Sequence, residues 1–340
     1  MNTTKRISSA LLLLLGLTAA SLGFAQGTVE QIKVYSPALE GNLIGDSPER
    51  DVFVYLPPGY YEENSEKRYP VVYMLHGYGI GAETWMTFAA VENGSNSAMS
   101  AAGDVQEMIV VSPDAFNFFA GSMYSASLTI GDWEHFIAED LVAFIDSNYR
   151  TLATRESRGL GGHSMGGYGT LRIGMKFPEV FSVLYPMSAC CLADAAANEN
   201  GMDAAAAMTR EDVAALTGFG RVLHARAASW SANPEKAPLF MDFPYSHGAA
   251  NEAIRAKWHG NSINALADQY TFNLRRYTAI KLDIGTADTL LKSNIELDAL
   301  LTRNSVPHEF ETYEGDHVNR VPERFEKFLL PFFGEHLNGE

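Results

Sequence analysis

The segment Arg158-Gly159-Leu160-Gly161-Gly162-His163-Ser164-Met165-Gly166-Gly167 runs from a short buried strand into a Gly-x-Ser-x-Gly turn. A helix follows, continuing to about Lys176 and stopping near Pro178. This strand–turn–helix context is what a nucleophile elbow requires. Ser164 must sit on a sharp turn that lifts its hydroxyl off the sheet edge. Side chains two residues to either side would strike the neighbouring strand and helix, so glycine is needed at 162 and 166. The start of the following helix favours negative charge beside Ser164. His163 is the variable residue of the motif, and the sequence assigns it no chemical role.

Working outward, strands are predicted over residues 29–35, 51–56, 69–75, 108–111, 158–162, 181–187, 280–285 and 308–313. Helical periodicity appears over 135–149, with apolar residues at Phe136, Ile137, Leu141, Phe144, Ile145 and Tyr149, and again over 321–333. Strands alternating with helices predict an α/β domain with a mostly parallel central sheet and helices on both faces. Ligands of such sheets bind at the carboxyl ends of the strands. The polar or Gly-rich turns His76-Gly77-Tyr78-Gly79, Ser112-Pro113-Asp114 and Gly285-Thr286-Ala287-Asp288 all follow strands, so they fall on that edge. Residues 191–279 break the rhythm. They are Ala-rich, then aromatic and loop-rich, and read as an inserted helical cap within one domain spanning 26–340.

A serine hydroxyl is a weak nucleophile and needs an imidazole to take its proton. His317, in Tyr313-Glu314-Gly315-Asp316-His317, lies just past the last strand, where the base belongs in the order Ser, acid, His. Asp288, in the turn after strand 280–285, is the expected acid. Asp283 lies inside that strand, Asp298 falls in the next helix, and Asp316 is too close in sequence to reach the far nitrogen of His317. The oxyanion formed in acyl transfer needs preorganised N–H donors. Met165, after the nucleophile, supplies one, and the loop His76–Gly79 supplies the other, with Tyr78 preferred over Gly79. His76, Tyr124 and Trp133 are candidate substrate-pocket residues. Neither an HExxH pair nor a tight His/carboxylate cluster appears, which disfavours a metal hydrolase.

The chain has 340 residues, 46% apolar and 19% charged, an ordinary globular balance. Its 41 acidic and 25 basic residues give a net charge of −16, which argues against nucleic acid as a partner. Lys5 and Arg6 precede a Leu-rich run over 10–20 and a small-residue ending at Ala25, a secretory signal-peptide pattern covering 1–25. The run is too short to span a bilayer comfortably, so no stable membrane insertion is expected after cleavage. Export to the periplasm or the outside implies an oxidising compartment. The two cysteines are the neighbours Cys190 and Cys191, read as buried thiols in a strand-end loop, with a strained vicinal disulfide as the alternative.

The stretches His76–Gly79, Pro113-Asp114, Tyr149-Arg150-Thr151, 162–167, 285–288 and Gly315-Asp316-His317 resemble the putative-esterase family. This family includes S-formylglutathione hydrolases, feruloyl and acetyl-xylan esterases, siderophore esterases and mycolyltransferases. The resemblance covers roughly 51–190 and 279–333. It implies an α/β-hydrolase fold, a Ser164–Asp288–His317 triad and no cofactor. The expected activity is an exported serine carboxylesterase acting on short-chain acyl, hydroxycinnamoyl or acetyl esters, small or carbohydrate-linked. Alternatives on the same triad are an acyltransferase or a thioesterase, and the non-enzyme alternative is a binding protein on a hydrolase scaffold.

Overall fold

The computed structural model describes residues 26–62, 65–100, 105–193, 201–246 and 248–339. The expected signal peptide, 1–25, lies outside the described residues. Eight strands form the central sheet: β1 (Thr28–Tyr35), β2 (Glu49–Leu56), β3 (Val71–Leu75), β4 (Ile109–Pro113), β5 (Arg158–His163), β6 (Val183–Met187), β7 (Ala279–Gly285) and β8 (Glu309–Tyr313). Their order is β1-β2-β4-β3-β5-β6-β7-β8. The pairs β1/β2 and β2/β4 are antiparallel, and every pair from β4/β3 onward is parallel.

Period-two alternation explains why the sheet is covered on both faces. Within β3, Val71, Tyr73 and Leu75 join one buried cluster and Val72 and Met74 join the other. The second cluster is closed by Trp85 and Val91 on one side and by Phe325, Leu329 and Phe333 of the C-terminal helices. The first is closed by Phe136, Leu141 and Ile145, and by Leu171 and Met175 of the helix Met165–Lys176. The helix expected over 135–149 is found as Trp133–His135, an i→i+5 turn over Phe136–Asp140, and Leu141–Asn148.

Between β6 and β7 the chain forms the helices Met202–Ala206, Arg210–Ala215, Val222–Trp230, Glu252–Gly260 and Ile263–Leu274. Trp230, Trp258 and Leu266 from this stretch belong to the same buried cluster as Val71 and Tyr73. Tyr168 Oη donates to the Asn261 carbonyl at 2.8 Å, and Arg172 Nη1 donates to Asn261 Oδ1 at 2.8 Å. Shared core and shared polar contacts tie this stretch to the sheet. Among the described residues no helix is long and apolar enough to cross a membrane.

Candidate active site

Ser164 sits where β5 turns into the helix Met165–Lys176, with φ 58° and ψ −110°. Backbone contact accounts for its glycines. A Cβ on Gly162 would lie 2.5 Å from the Gly166 carbonyl oxygen, and one on Gly166 would lie 1.9 Å from that of Leu75. The turn is held from β6, since the Ser164 amide donates to the Met187 carbonyl at 3.0 Å.

His317 and Asp288 arrive from neighbouring strand ends. Parallel pairing of β7 with β8 sets Gly285 opposite Tyr313, so the loops that follow leave side by side. They are stitched by the Thr286 amide donating to the Tyr313 carbonyl and the Ala287 amide donating to that of Gly315, both at 2.8 Å. A Cβ on Gly285 would come within 2.3 Å of the Gly315 carbonyl oxygen. Asp316 Oδ1 accepts the Val318 and Asn319 amides at 2.8 Å each, so it shapes the loop carrying His317.

The result is a continuous hydrogen-bonded path. Asp288 Oδ2 accepts from His317 Nδ1 at 2.7 Å, and His317 Nε2 stands 2.9 Å from Ser164 Oγ. Asp288 Oδ1 also accepts the Leu290 amide at 2.8 Å. Burial alone would raise the Asp288 pKa. The bonds from His317 and Leu290 outweigh that cost and hold the carboxyl below its ordinary range. The other acids are committed elsewhere. Asp283 Oδ2 accepts from Tyr185 Oη and Arg324 Nε at 2.9 and 2.8 Å, and Asp298 Oδ1 is 2.9 Å from His308 Nε2.

The Met165 amide opens its helix, where no intrahelical acceptor exists. The Gly79 amide donates to the Ala120 carbonyl at 3.0 Å, so it is already used. The Tyr78 amide makes no hydrogen bond to protein among the described residues. Tyr78 Oη donates to the Phe119 carbonyl at 2.9 Å, and the ring leans on Gly121, where a Cβ would lie 2.6 Å from it and 2.7 Å from Met165 Sδ.

Three expected pocket residues lie elsewhere. Trp133 is buried, its indole N–H donates to the Ile130 carbonyl at 2.8 Å, and the Arg50 guanidinium stacks on its ring. Tyr124 is buried and its Oη donates to the His76 carbonyl at 3.2 Å. His76 is buried, its Nε2 accepts the Ala115 amide and its Nδ1 donates to the Gly77 carbonyl, both at 2.8 Å. Their polar atoms are spent on main chain, so they brace the loops instead of facing substrate. The sequence showed ring-bearing residues in the segments before the motif but not the direction in which they point.

Two contributions were invisible in the sequence. His163 Nε2–H donates to the His317 main-chain carbonyl at 2.8 Å, and its ring stacks on Trp85 at 6.2 Å. The cleft at Ser164, about 250 Å³, is walled by Tyr78, Met123, Cys190 and Cys191, and from the stretch between β6 and β7 by Phe219, Val222 and Arg226. A larger hollow of about 890 Å³ lies between Ala206 and Glu252 and shares none of these residues. The smaller cleft holds the hydrogen-bonded path, and chemistry follows the reacting groups over cavity size. Among the described residues no cluster of His, Cys, Asp and Glu is gathered to hold a metal ion.

The family model described as Putative esterase matches residues 47–331. The chain belongs to this family. It is 33% identical over 135 residues to an endo-1,4-beta-xylanase/feruloyl esterase of Xylanibacter ruminicola, a match covering 38% of this chain and 18% of that protein. It is 31% identical over 137 residues to an esterase of Mycobacterium tuberculosis, covering 40% of this chain and 28% of that protein. The chain therefore spans less than a third of the length of these relatives. Among solved structures it is similar to a ferulic acid esterase, with TM-score 0.65 and 24% identity over 93% of this chain and 100% of that one. An S-formylglutathione hydrolase from Agrobacterium tumefaciens gives TM-score 0.61 and 18% identity over 92% and 97%. These neighbours establish the fold as that of an α/β-hydrolase.

Proposed function

We propose that this chain is an exported serine carboxylesterase. The observation that carries the reading is the path Asp288–His317–Ser164, assembled at the carboxyl ends of parallel strands in a putative-esterase chain. Ser164 Oγ attacks the ester carbonyl carbon while His317 Nε2 takes its proton. Asp288 stays ionised and stabilises the imidazolium through Nδ1–H. The amides of Met165 and Tyr78 hold the oxyanion. His317 then returns the proton to the leaving alcohol oxygen, and water repeats the sequence in reverse on the acyl-enzyme.

The substrate class is an acyl ester, short-chain or of hydroxycinnamoyl or acetyl type, free or linked to carbohydrate. Support comes from the names of the relatives, one a xylanase/feruloyl esterase and one a ferulic acid esterase, and from the largely apolar cleft. The stretch 191–279 acts as a cap, since Phe219, Val222 and Arg226 stand over Ser164. Export is supported by Lys5, Arg6 and the apolar run that follows.

The test is Ser164→Ala together with a fluorophosphonate probe. Turnover of a short-chain nitrophenyl ester falls by about 10⁴-fold or more, labelling is lost, and the melting temperature is kept. Undiminished turnover in a folded variant overturns the assignment. A turnover screen across aryl, hydroxycinnamate and acetylated-xylan esters then ranks the substrates.

A further inference from the structure

Cys190 and Cys191 carry free thiols, half-buried, on the wall of the Ser164 cleft. They are fixed there by the nucleophile turn itself, because the Cys190 amide donates to the Ser164 carbonyl at 3.1 Å. Cys191 has φ 60°, and the two sulfurs face each other at 2.8 Å. Arg226, from the helix Val222–Trp230, reaches in from the opposite side. Among the described residues its hydrogen-bond partner is Cys191 Sγ, 3.6 Å from Nη2, and its buried Nε has none. The group that answers this guanidinium is therefore a sulfur.

We propose that Cys190 and Cys191 form a reversible dithiol–disulfide site on the cleft wall, oxidised by small disulfides, whose state sets the charge that Arg226 presents to substrate. The reaction balances as two thiol–disulfide exchanges. The Cys191 thiolate attacks one sulfur of the small disulfide and expels one thiolate. Cys190 loses its proton to solvent and attacks the Cys191 sulfur, expelling the second. The protein dithiol loses two electrons, and the small disulfide becomes two thiols.

Three features fit this chemistry. The Cys190 hydrogen bond, aided by the Arg226 charge, holds the Cys191 thiol below its ordinary range, while Cys190 is raised. One sulfur is thus the attacking thiolate and the other keeps its proton until the resolving step. Adjacent Cα atoms are about 3.8 Å apart, closer than ordinary disulfides span, so the bond is strained and easily reduced, the property of regulatory disulfides. Oxidation removes the thiolate and leaves the Arg226 guanidinium without its anion beside Ser164. The oxidised cleft then favours an ester carrying a carboxylate, on either its acyl or its alcohol part.

The charge consequence rests on the ester-hydrolase reading, and the covalent step does not. The protein is reduced with dithiothreitol, freed of it, equilibrated with oxidised glutathione, and its intact mass read without further reduction. The wild type loses two hydrogens and keeps no glutathione, whereas Cys190→Ser holds one glutathione. The reduced wild type also binds one equivalent of phenylarsine oxide, which requires both sulfurs and no variant. A persistent adduct on the wild type, or no change of mass, overturns the site. The kcat/KM ratio for the monoglutarate over the pentanoate ester of para-nitrophenol, and for a carboxylated over a neutral alcohol leaving group, is then compared in the two states. At least one ratio rises about tenfold on oxidation, reverts with dithiothreitol, and stays flat in Arg226→Gln. Ratios that do not move in the wild type overturn the charge control. Absence of turnover with intact disulfide formation counts against the esterase reading alone.

Discussion

The imidazole of His163 donates from Nε2 to the main-chain carbonyl of His317 at 2.8 Å, with the two rings 4.7 Å apart. The residue before Ser164 thus holds the backbone of the proposed base, across 154 positions of sequence. Burial, with the neighbouring His317 charge adding to it, pushes His163 down to about 3. It stays neutral at working pH and does not compete for the Ser164 proton. Nδ1 lacks the proton in this tautomer, since Nε2 must carry it to donate.

His163→Ala is expected to lower kcat about tenfold, the scale of one lost buried hydrogen bond, with a smaller change in KM. His163→Gln, which keeps an N–H donor, recovers part of the loss. Steady-state kinetics on an acetyl ester check both, and equal kcat in wild type and His163→Ala would remove the positioning role.

Asp288→Asn replaces the acceptor of His317 Nδ1 with an amide that can present N–H instead, which destroys the tautomer and the charge stabilisation together. A fall in kcat of about 10³–10⁴-fold is expected. Melting curves that match the wild type show whether the loss is chemical and not one of folding.

The bare Cα of Gly121 leaves room for both the Tyr78 ring and the Met165 sulfur, and these two residues supply the proposed oxyanion donors. Gly121→Ala drives a methyl into the Tyr78 ring and Met165 sulfur. The expected result is a fall in kcat of at least about tenfold, since loss of a single oxyanion donor costs about 10²–10³, alongside a stability loss of about 1–3 kcal/mol. Loss of stability without loss of kcat would detach this contact from catalysis.

Glu134 is buried, with Oε1 2.7 Å from Arg172 Nε and Oε2 2.8 Å from Lys176 Nζ. Burial alone would raise its pKa, but Arg172 and Lys176 outweigh that and hold it below the ordinary glutamate range. A carboxyl depressed on folding stabilises the protein above its unfolded pKa, about 4.3, and that stability is lost as pH falls through the folded value. Glu134→Gln leaves the Arg172 charge uncompensated and should cost about 3 kcal/mol near neutrality. Urea unfolding at a series of acidic pH values should be flatter in the variant below about pH 4, and parallel curves would refute the linkage.

The order Ser, Asp, His was legible because each lies in a turn directly after a strand. Strand ends announce themselves by apolar runs followed by glycine, as at Leu160–Gly162 and Ile284-Gly285. The pocket residues were not legible, for a related reason. Tyr124, in the loop after β4, and Trp133, which opens the helix that follows, both turn inward, and nothing in the local pattern records that turn. Gly79 was open as an oxyanion donor until its amide was found on the Ala120 carbonyl. Such pairing links segments that no periodicity connects.

The primary sequence alone determined the parallel α/β layout, and it named the elbow at Ser164 with His317 and Asp288 as its candidate partners. Periodicity, glycine placement and strand-end position are local properties that each segment carries with it. Tertiary structure alone decided the wall of the cleft. It brought Phe219, Val222 and Arg226 over Ser164, set the Cys191 sulfur against a guanidinium, and turned His163 onto the His317 backbone. Those relations depend on where separately folded segments come to rest against each other, and that is settled by packing the whole core at once.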